Sequence, residues 1–355
     1  MSPFSTAELE EVARPLLAAG DAPYRAAQAR DWFWRRRVSS FEEMRTLPAA
    51  TRSRLGSAFR FSTLHVRRRR QADEGLTAKY LFGLEDGRTV ETVVMHYPAG
   101  AGRRARTTIC VSSQVGCPIG CSFCATGQSG FDRNLTEAEI VDQLLEVSRH
   151  LTLEQRAVTN VVFMGMGEPL NNYGPVVGAI RRWSRSDTLN FSPRRVTVST
   201  IGLVPFIERL GAEGMPVNLA ISLHAPDDAL RSRMIPVNRK YSIASVVAAA
   251  RAHANRTGRR VSYEYVLLAG VNDSLEQARR LTAVVRHPLS HVNLIPMNPI
   301  AGSALAPPSR QQALAFQGVL QAAGVSTTIR ATRGLDIDAA CGQLRAREPA
   351  VTAGK

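Results

Sequence analysis

Cys117, Cys121 and Cys124 stand in one short stretch as Cys-x3-Cys-x2-Cys, and a glycine-rich run, Gly165-Met166-Gly167-Glu168-Pro169, follows farther along the chain. Thiolates at that spacing can converge on one iron–sulfur cluster, and three ligands for four irons leave one iron open to a small molecule. A structural zinc site is the competing chemistry; it needs a fourth ligand, for which Cys110, Cys341 or a histidine is available. The neighbouring residues favour the cluster, since Phe123 can shield it from water and the flanking glycines let the backbone wrap and offer N–H groups to the sulfides. Glu168 is a carboxylate for a positively charged ligand group, and the glycines beside it permit close approach to the backbone. Ser199 and Asn298 suit ribose or carboxylate binding, although each alone is as well explained as a strand-end cap, and His224 alone is a loop histidine.

These residues need a scaffold. From Thr107 onward, short β-rich runs alternate with helical stretches, with strands expected at Thr107–Ser112, Asn160–Met164, Arg195–Thr200, Val217–Leu223, Val261–Leu267, His291–Pro296 and Ser326–Arg330. Repeated β–α units imply an α/β fold with a parallel sheet that curls into a full or partial barrel, its working face at the C-terminal ends of the strands. Gly167, Glu168, Ser199, Ser222, Leu223, His224 and Asn298 all fall just after such strands. One helix opens on the capping box Thr136-x-x-Glu139. Residues 1 to about 60 read as a helical module with capping boxes Ser5-x-x-Glu8 and Ser40-x-x-Glu43. A basic run, Arg67–Arg70, leads into alternating segments at Ala78–Leu84 and Arg88–Met95, joined by a hairpin signal. The expected organisation is 1–97 as an N-terminal accessory domain with a hairpin, 98–106 as a linker, 107–336 as the core and 337–355 as a C-terminal segment.

A formal charge of +15 points to a polyanionic partner. Arg67–Arg70, Arg35–Arg37 and Arg103–Arg106 can be solvated faces, but three such runs beside Trp32, Phe33 and Trp34 suggest RNA or DNA phosphate contacts with aromatic stacking. No signal-like N-terminus and no long apolar run is present, so a cytoplasmic protein without a membrane partner is expected. Five cysteines, three of them clustered, fit metal binding better than a disulfide framework.

The stretch VSSQVGCPIGCSFCATGQSGFDRNLTEAEIVDQ (111–143) resembles the radical S-adenosylmethionine enzymes, and within them the RNA adenine methyltransferases that modify carbon 2 of adenosine in 23S rRNA and tRNA. GMGEPLNN, VTVSTIG, LAISLHAP, RMIPVNRKY, EYVLLAGVND, NLIPMNP and RGLDIDAACGQL agree, and the similarity runs from the helical module to about residue 345. The resemblance implies a partial (β/α)6 radical-SAM barrel with a small N-terminal helical, helix-hairpin-helix-like accessory domain. It implies a [4Fe–4S] cluster on Cys117, Cys121 and Cys124, and S-adenosyl-L-methionine held by Gly167, Glu168, Ser199, Ser222, Leu223, His224 and Asn298. Cys341 is then the S-methylcysteine intermediate, and Cys110 resolves the protein–RNA adduct by forming a disulfide with Cys341. Glu91 is the proton acceptor by the same analogy, unless Cys110 takes the proton itself; as a bare residue it is a strand carboxylate. A flavodoxin-like electron donor and a monomer complete the expectation. Two alternatives remain open: a relative that methylates carbon 8 of the same rRNA adenosine, sharing all five cysteines, and a zinc-stabilised RNA-binding protein without enzymatic activity.

Overall fold

The computed structural model describes residues 1–344 except Ala101, Arg103 and Ala301. Arg103 of the third basic run, part of the expected linker, and residues 345–355 of the expected C-terminal segment lie outside the described residues. Ten strands form one sheet: β1 (His65–Ala72), β2 (Thr77–Gly83), β3 (Thr89–Tyr97), β4 (Arg106–Cys110), β5 (Asn160–Phe163), β6 (Val196–Thr200), β7 (Asn218–Ser222), β8 (Val261–Leu267), β9 (Ser290–Pro296) and β10 (Thr327–Ile329). They lie side by side in chain order, β1 to β3 antiparallel onto β4 and the rest parallel, and the two edges are not joined. The fold is thus an open α/β barrel.

The parallel strands are short apolar runs because both faces are covered; Leu219, Ala220 and Ile221 of β7 are fully enclosed. Three helices, α1 (Leu9–Leu17), α2 (Tyr24–Asp31) and α3 (Ala49–Ala58), build the N-terminal module. A short turn, α4 (Ala125–Gln128), follows the cysteine loop, and α5 (Glu137–Leu153), α6 (Tyr173–Ser184) and α7 (Val204–Ala212) connect β4 to β7. Beyond them come α8 (Asp228–Met234), α9 (Ile243–Thr257), α10 (Leu275–Val285) and α11 (Arg310–Ala322). Helix α5 starts at the expected box: Thr136 Oγ1 accepts from Glu139 N–H, and the Glu139 carboxylate accepts from Thr136 N–H at 2.8 Å.

The N-terminal module differs from expectation in two details. Helix α1 is capped by Glu8 with Glu11, not by Ser5 with Glu8, and Ser40 opens no α-helix. Phe33 and Trp34 are fully enclosed, Phe33 edge-on to Phe4 and Phe61, so neither is free to stack on a base. Their burial glues the module together and to α5, whose Arg149 guanidinium lies 5.3 Å from the Phe33 ring centroid and 4.9 Å from that of Phe61.

The Arg67–Arg70 run is itself a strand, β1, at the sheet edge with its side chains exposed. The hairpin β2–β3 continues the barrel sheet, since β3 pairs with β4 from Val93 opposite Cys110 to Tyr97 opposite Arg106. The boundary expected after residue 97 therefore falls inside a continuous sheet. No helix among the described residues is long and apolar enough to cross a membrane.

Candidate active site

A cleft with about 940 Å³ of empty space opens at the C-terminal ends of the strands, walled by Cys117, Cys121 and Cys124 on one side and Gly167, Glu168, Ser199, Ser222, His224 and Asn298 on the others. Six of the seven residues expected to hold S-adenosylmethionine therefore share one cavity with the cysteines. Leu223 does not line it; its side chain is fully enclosed, and its N–H donates to Glu264 O at 3.0 Å.

The cysteine loop is fixed from several directions. A two-stranded ribbon, Gln114–Gly116 with Phe131–Asn134, carries the chain into and out of it. Cys117 N–H donates to Gly130 O at 2.8 Å, and Ser122 N–H donates to Met234 O at 3.1 Å. Phe123 is buried and lies edge-on to His224, with ring centroids 4.7 Å apart, and it lines the cleft beside the cysteines. Burial pushes the thiol of Cys117 up to about 12 and those of Cys121 and Cys124 upward as well, so without metal all three hold their protons. A bound cluster would supply the positive charge that ionises them, and their protons would be released as it binds. Among the described residues no three His, Cys, Asp or Glu side chains are gathered so as to hold a single metal ion. Three soft thiols spread around one cleft wall fit a cluster, in which each thiolate binds its own iron.

Gly165 and Gly167 are required for a reason different from the expected one. A Cβ on Gly165 would meet Val111 O at 2.7 Å, and one on Gly167, where φ is +102°, would meet Gln114 Cβ at 2.6 Å. The glycines thus let the end of β5 close against the 111–114 segment of the chain itself. Glu168 is buried; its Oε1 accepts from Leu170 N–H at 3.0 Å and its Oε2 from Ile201 N–H at 2.8 Å. Burial raises its pKa to about 7 against those hydrogen bonds. His224 is held at φ +59° with Nδ1 accepting from Val266 N–H at 3.0 Å. A backbone amide only donates, so the ring proton sits on Nε2, and burial followed by the charge of Arg231 drops the pKa to about 3, keeping the ring neutral.

Cys341 stands on a wall shared by two cavities, the cleft and a smaller one lined by Cys110, Val93, Met95 and Met164. Its loop is pinned onto the site: Asn298 Nδ2 donates to Cys341 O at 2.9 Å, Ala125 N–H to Gly342 O at 2.7 Å, and Gln343 Nε2 to Pro299 O at 2.8 Å. Cys110 is buried; burial first, then the charge of Cys341, pushes its thiol up to about 12. The two sulfurs are not bonded, because all five cysteines are free, so the expected disulfide is not a feature of this structure. Glu91 lines neither cavity. It is buried in β3 with Lys79 Nζ at 2.9 Å, on the face it shares with Val93, the register partner of Cys110.

Two residues of the cleft escaped the sequence reading. Glu264 is buried in β8, its pKa raised by burial, and its Oε2 accepts from Asn293 Nδ2 at 2.8 Å. Half-buried Arg330 follows β10 and lines both cavities, its pKa raised by the charges of Cys341 and Glu264. A carboxylate inside the apolar run Val261–Leu267 and a cation ending a strand were the available signals.

An open β/α barrel with a three-cysteine loop at the mouth defines a radical S-adenosylmethionine enzyme. Residues 111–282 match the Radical SAM superfamily, and residues 4–60 match the ribosomal RNA large subunit methyltransferase N-terminal domain. The chain is 48% identical over 340 residues to a probable dual-specificity RNA methyltransferase RlmN of Moorella thermoacetica, covering 95% of this chain and 94% of that protein. It is 42% identical to the Bacillus subtilis protein of the same description, over 96% of this chain and 92% of the relative. A crystal structure of a radical SAM methyltransferase from Sphaerobacter thermophilus superimposes with a TM-score of 0.92 at 45% identity, covering 98% of this chain and 100% of that one. The chain belongs to the RlmN family of radical SAM RNA methyltransferases.

Iron and sulfide analysis of anaerobically purified protein is expected to find both elements and to lose both in Cys121→Ala; zinc without sulfide would return the site to the structural-metal reading. Only the ionised form of Glu168 attracts an ammonium group, so S-adenosylmethionine affinity is expected to rise as pH climbs through about 7. Calorimetric titration should show a rise of roughly eightfold between about pH 6 and 7.5, flattened in Glu168→Gln.

Proposed function

We propose that this enzyme methylates carbon 2 of a specific adenosine in 23S rRNA and in tRNA, with Cys341 as the carrier of the methyl carbon. The observation that carries this reading is the position of Cys341 on the wall between the cluster cleft and the cavity of Cys110. The match of residues 4–60 to a ribosomal RNA methyltransferase domain and the dual-specificity relatives support the substrate class.

Carbon 2 of adenine is electron-poor and carries no acidic proton, so polar transfer from a sulfonium cannot reach it. The cluster and S-adenosylmethionine, when bound, supply a methyl cation equivalent and, after one-electron cleavage, a 5′-deoxyadenosyl radical. Cys117, Cys121 and Cys124 hold the cluster, and Gly167, Glu168, Ser199, Ser222, His224 and Asn298 line the S-adenosylmethionine pocket. Glu168 meets the amino group, while neutral His224 keeps uncompensated positive charge out of the pocket. The Cys341 sulfur gives up its proton and takes the methyl. That methyl then loses a hydrogen atom, and the carbon left on Cys341 bonds to carbon 2 of the base. After one electron returns to the oxidised cluster, the proton on carbon 2 would leave to a base. Glu91, ion-paired with Lys79 Nζ at 2.9 Å, is that base in this reading, and Cys110 is the alternative. Cys110 attacks the Cys341 sulfur to release the methylated RNA, and two electrons from outside restore both thiols. A flavodoxin-like donor, a monomeric state and a cytoplasmic setting complete the proposal.

Incubation of the reconstituted protein with S-adenosylmethionine, reductant and protein-free 23S rRNA, followed by mass spectrometry of the digested RNA, is expected to yield 2-methyladenosine. An 8-methyl product would overturn the regiochemistry. Cys341→Ala should still cleave S-adenosylmethionine slowly and make no methylated RNA, whereas Cys110→Ala should accumulate a covalent protein–RNA adduct through Cys341. A separate expectation concerns β1, where Arg68 and Arg70 are exposed. In Arg68→Gln with Arg70→Gln, RNA binding should weaken and the slope of log affinity against log salt should fall by about 1 per lost phosphate contact. An unchanged slope would make β1 a solvated face.

A further inference from the structure

Arg231 has no task in the reading above, yet it is one of the largest side chains with no solvent exposure at all. A charge at that depth is costly unless it is neutralised or used. Its hydrogen bonds do not neutralise it. Nε donates to Leu223 O at 3.0 Å, Nη1 to Asn238 Oδ1 at 2.8 Å, and Nη2 to Ser222 O at 3.1 Å and to Ile201 O. All four acceptors are uncharged. Burial lowers its pKa to about 10, which still leaves the guanidinium charged at neutral pH.

Two groups able to carry negative charge lie within its electrostatic reach, Cys121, once ionised, and Asp228. Asp228 is exposed and spends its Oδ1 on Asn238 Nδ2 at 3.0 Å and Ile243 N–H at 2.8 Å. The other direction leads to the cysteine loop, and the backbone brings the two together independently. Helix α8, which carries Arg231, ends at Met234, whose carbonyl accepts from the N–H of Ser122, next to Cys121. Ile201 and Ser222, whose carbonyls Nη2 holds, line the cleft together with Cys121. A [4Fe–4S] cluster on three thiolates is anionic and becomes more so when it accepts an electron, and its potential responds to local charge.

We propose that Arg231 is the fixed positive charge that sets the reduction potential of the cluster held by Cys117, Cys121 and Cys124, stabilising the reduced state from behind Cys121. The assignment rests on the cluster reading given above. Arg231 acts through the cluster's environment and touches no reacting atom, so it is a positioning residue with an electrostatic role. Its fork also joins the ends of β6 and β7, which fixes where the charge sits. Arginine suits this duty because its planar fork makes the four hydrogen bonds that fix the charge in place.

The test uses full-length protein reconstituted anaerobically, as wild type, Arg231→Gln and Arg231→Lys, with iron and sulfide content measured for each. Reductive titration followed by electron paramagnetic resonance, without S-adenosylmethionine, reads the midpoint. Arg231→Gln is expected to shift the reduction equilibrium about tenfold toward the oxidised form, a fall of about 59 mV for a one-electron couple. Arg231→Lys should stay within about threefold of wild type. A Gln variant with full iron and sulfide and an unmoved midpoint overturns the proposal. So does a Lys variant that falls as far as Gln, which would assign the effect to the hydrogen-bonded fork alone. If Arg231→Gln does not fold, the Lys variant decides: a retained midpoint supports the proposal and a fall overturns it. Failure of the wild type to take up iron and sulfide would instead overturn the cluster reading.

Discussion

The site depends on the return of the chain's last described segment across the mouth of the barrel. Four backbone carbonyls hold it there or are held by it: Cys341 O by Asn298, Gly342 O by Ala125, Leu344 O by the Thr126 hydroxyl, and Pro299 O by Gln343. Two of these bonds reach α4, the turn that leaves the cysteine loop, and two reach the segment after β9. The Cys341 segment is therefore referenced to both walls of the cleft. Lys79 adds a third tie, with Nζ donating to Asp338 O at 3.2 Å while pairing with Glu91. The edge hairpin, the Cys341 segment and the cysteine loop become one mechanical unit.

The interior of that unit is dry, and dryness sets its charge states. Burial is the main cause that keeps the thiols of Cys117, Cys121 and Cys124 protonated and leaves Glu168 poised near neutrality, and together with the charge of Arg231 it keeps His224 neutral. Each group therefore takes its working state from what binds beside it. Arg231 and Arg330 keep their charge in such surroundings because a guanidinium holds its proton tightly.

Much of this was legible in the sequence because it was local. Cysteine spacing, the glycine run and short apolar strands placed the cleft residues, and all nine expected strands appear with ends shifted by at most about two residues. The failures were tertiary. Four arginines show no alternation, so β1 was hidden until its exposed edge position explained it. Helix α1 begins three residues later than the Ser5 box implied, with Glu8 as its cap and the Glu11 carboxylate accepting from Glu8 N–H at 2.7 Å, and Phe33 and Trp34 looked like stacking platforms until their neighbours enclosed them. Gly165 and Gly167 were correctly flagged for close approach, but the partner is the chain's own 111–114 segment, a contact no spacing rule encodes. The separation of Glu91 from the cleft likewise follows from sheet register and not from its motif.

An open barrel leaves two sheet edges, and the longer one is β1, whose outer backbone groups have no strand beside them among the described residues. Such an edge is a template for pairing with another chain, and flat apolar edges of this length lead to aggregation. Arginines at four successive positions make that pairing repulsive, since a second copy would bring the same charges into register. The residues proposed above to meet a polyanion would therefore also oppose edge-to-edge association, and replacing them with β-branched apolar residues would favour it even where the barrel itself remained intact.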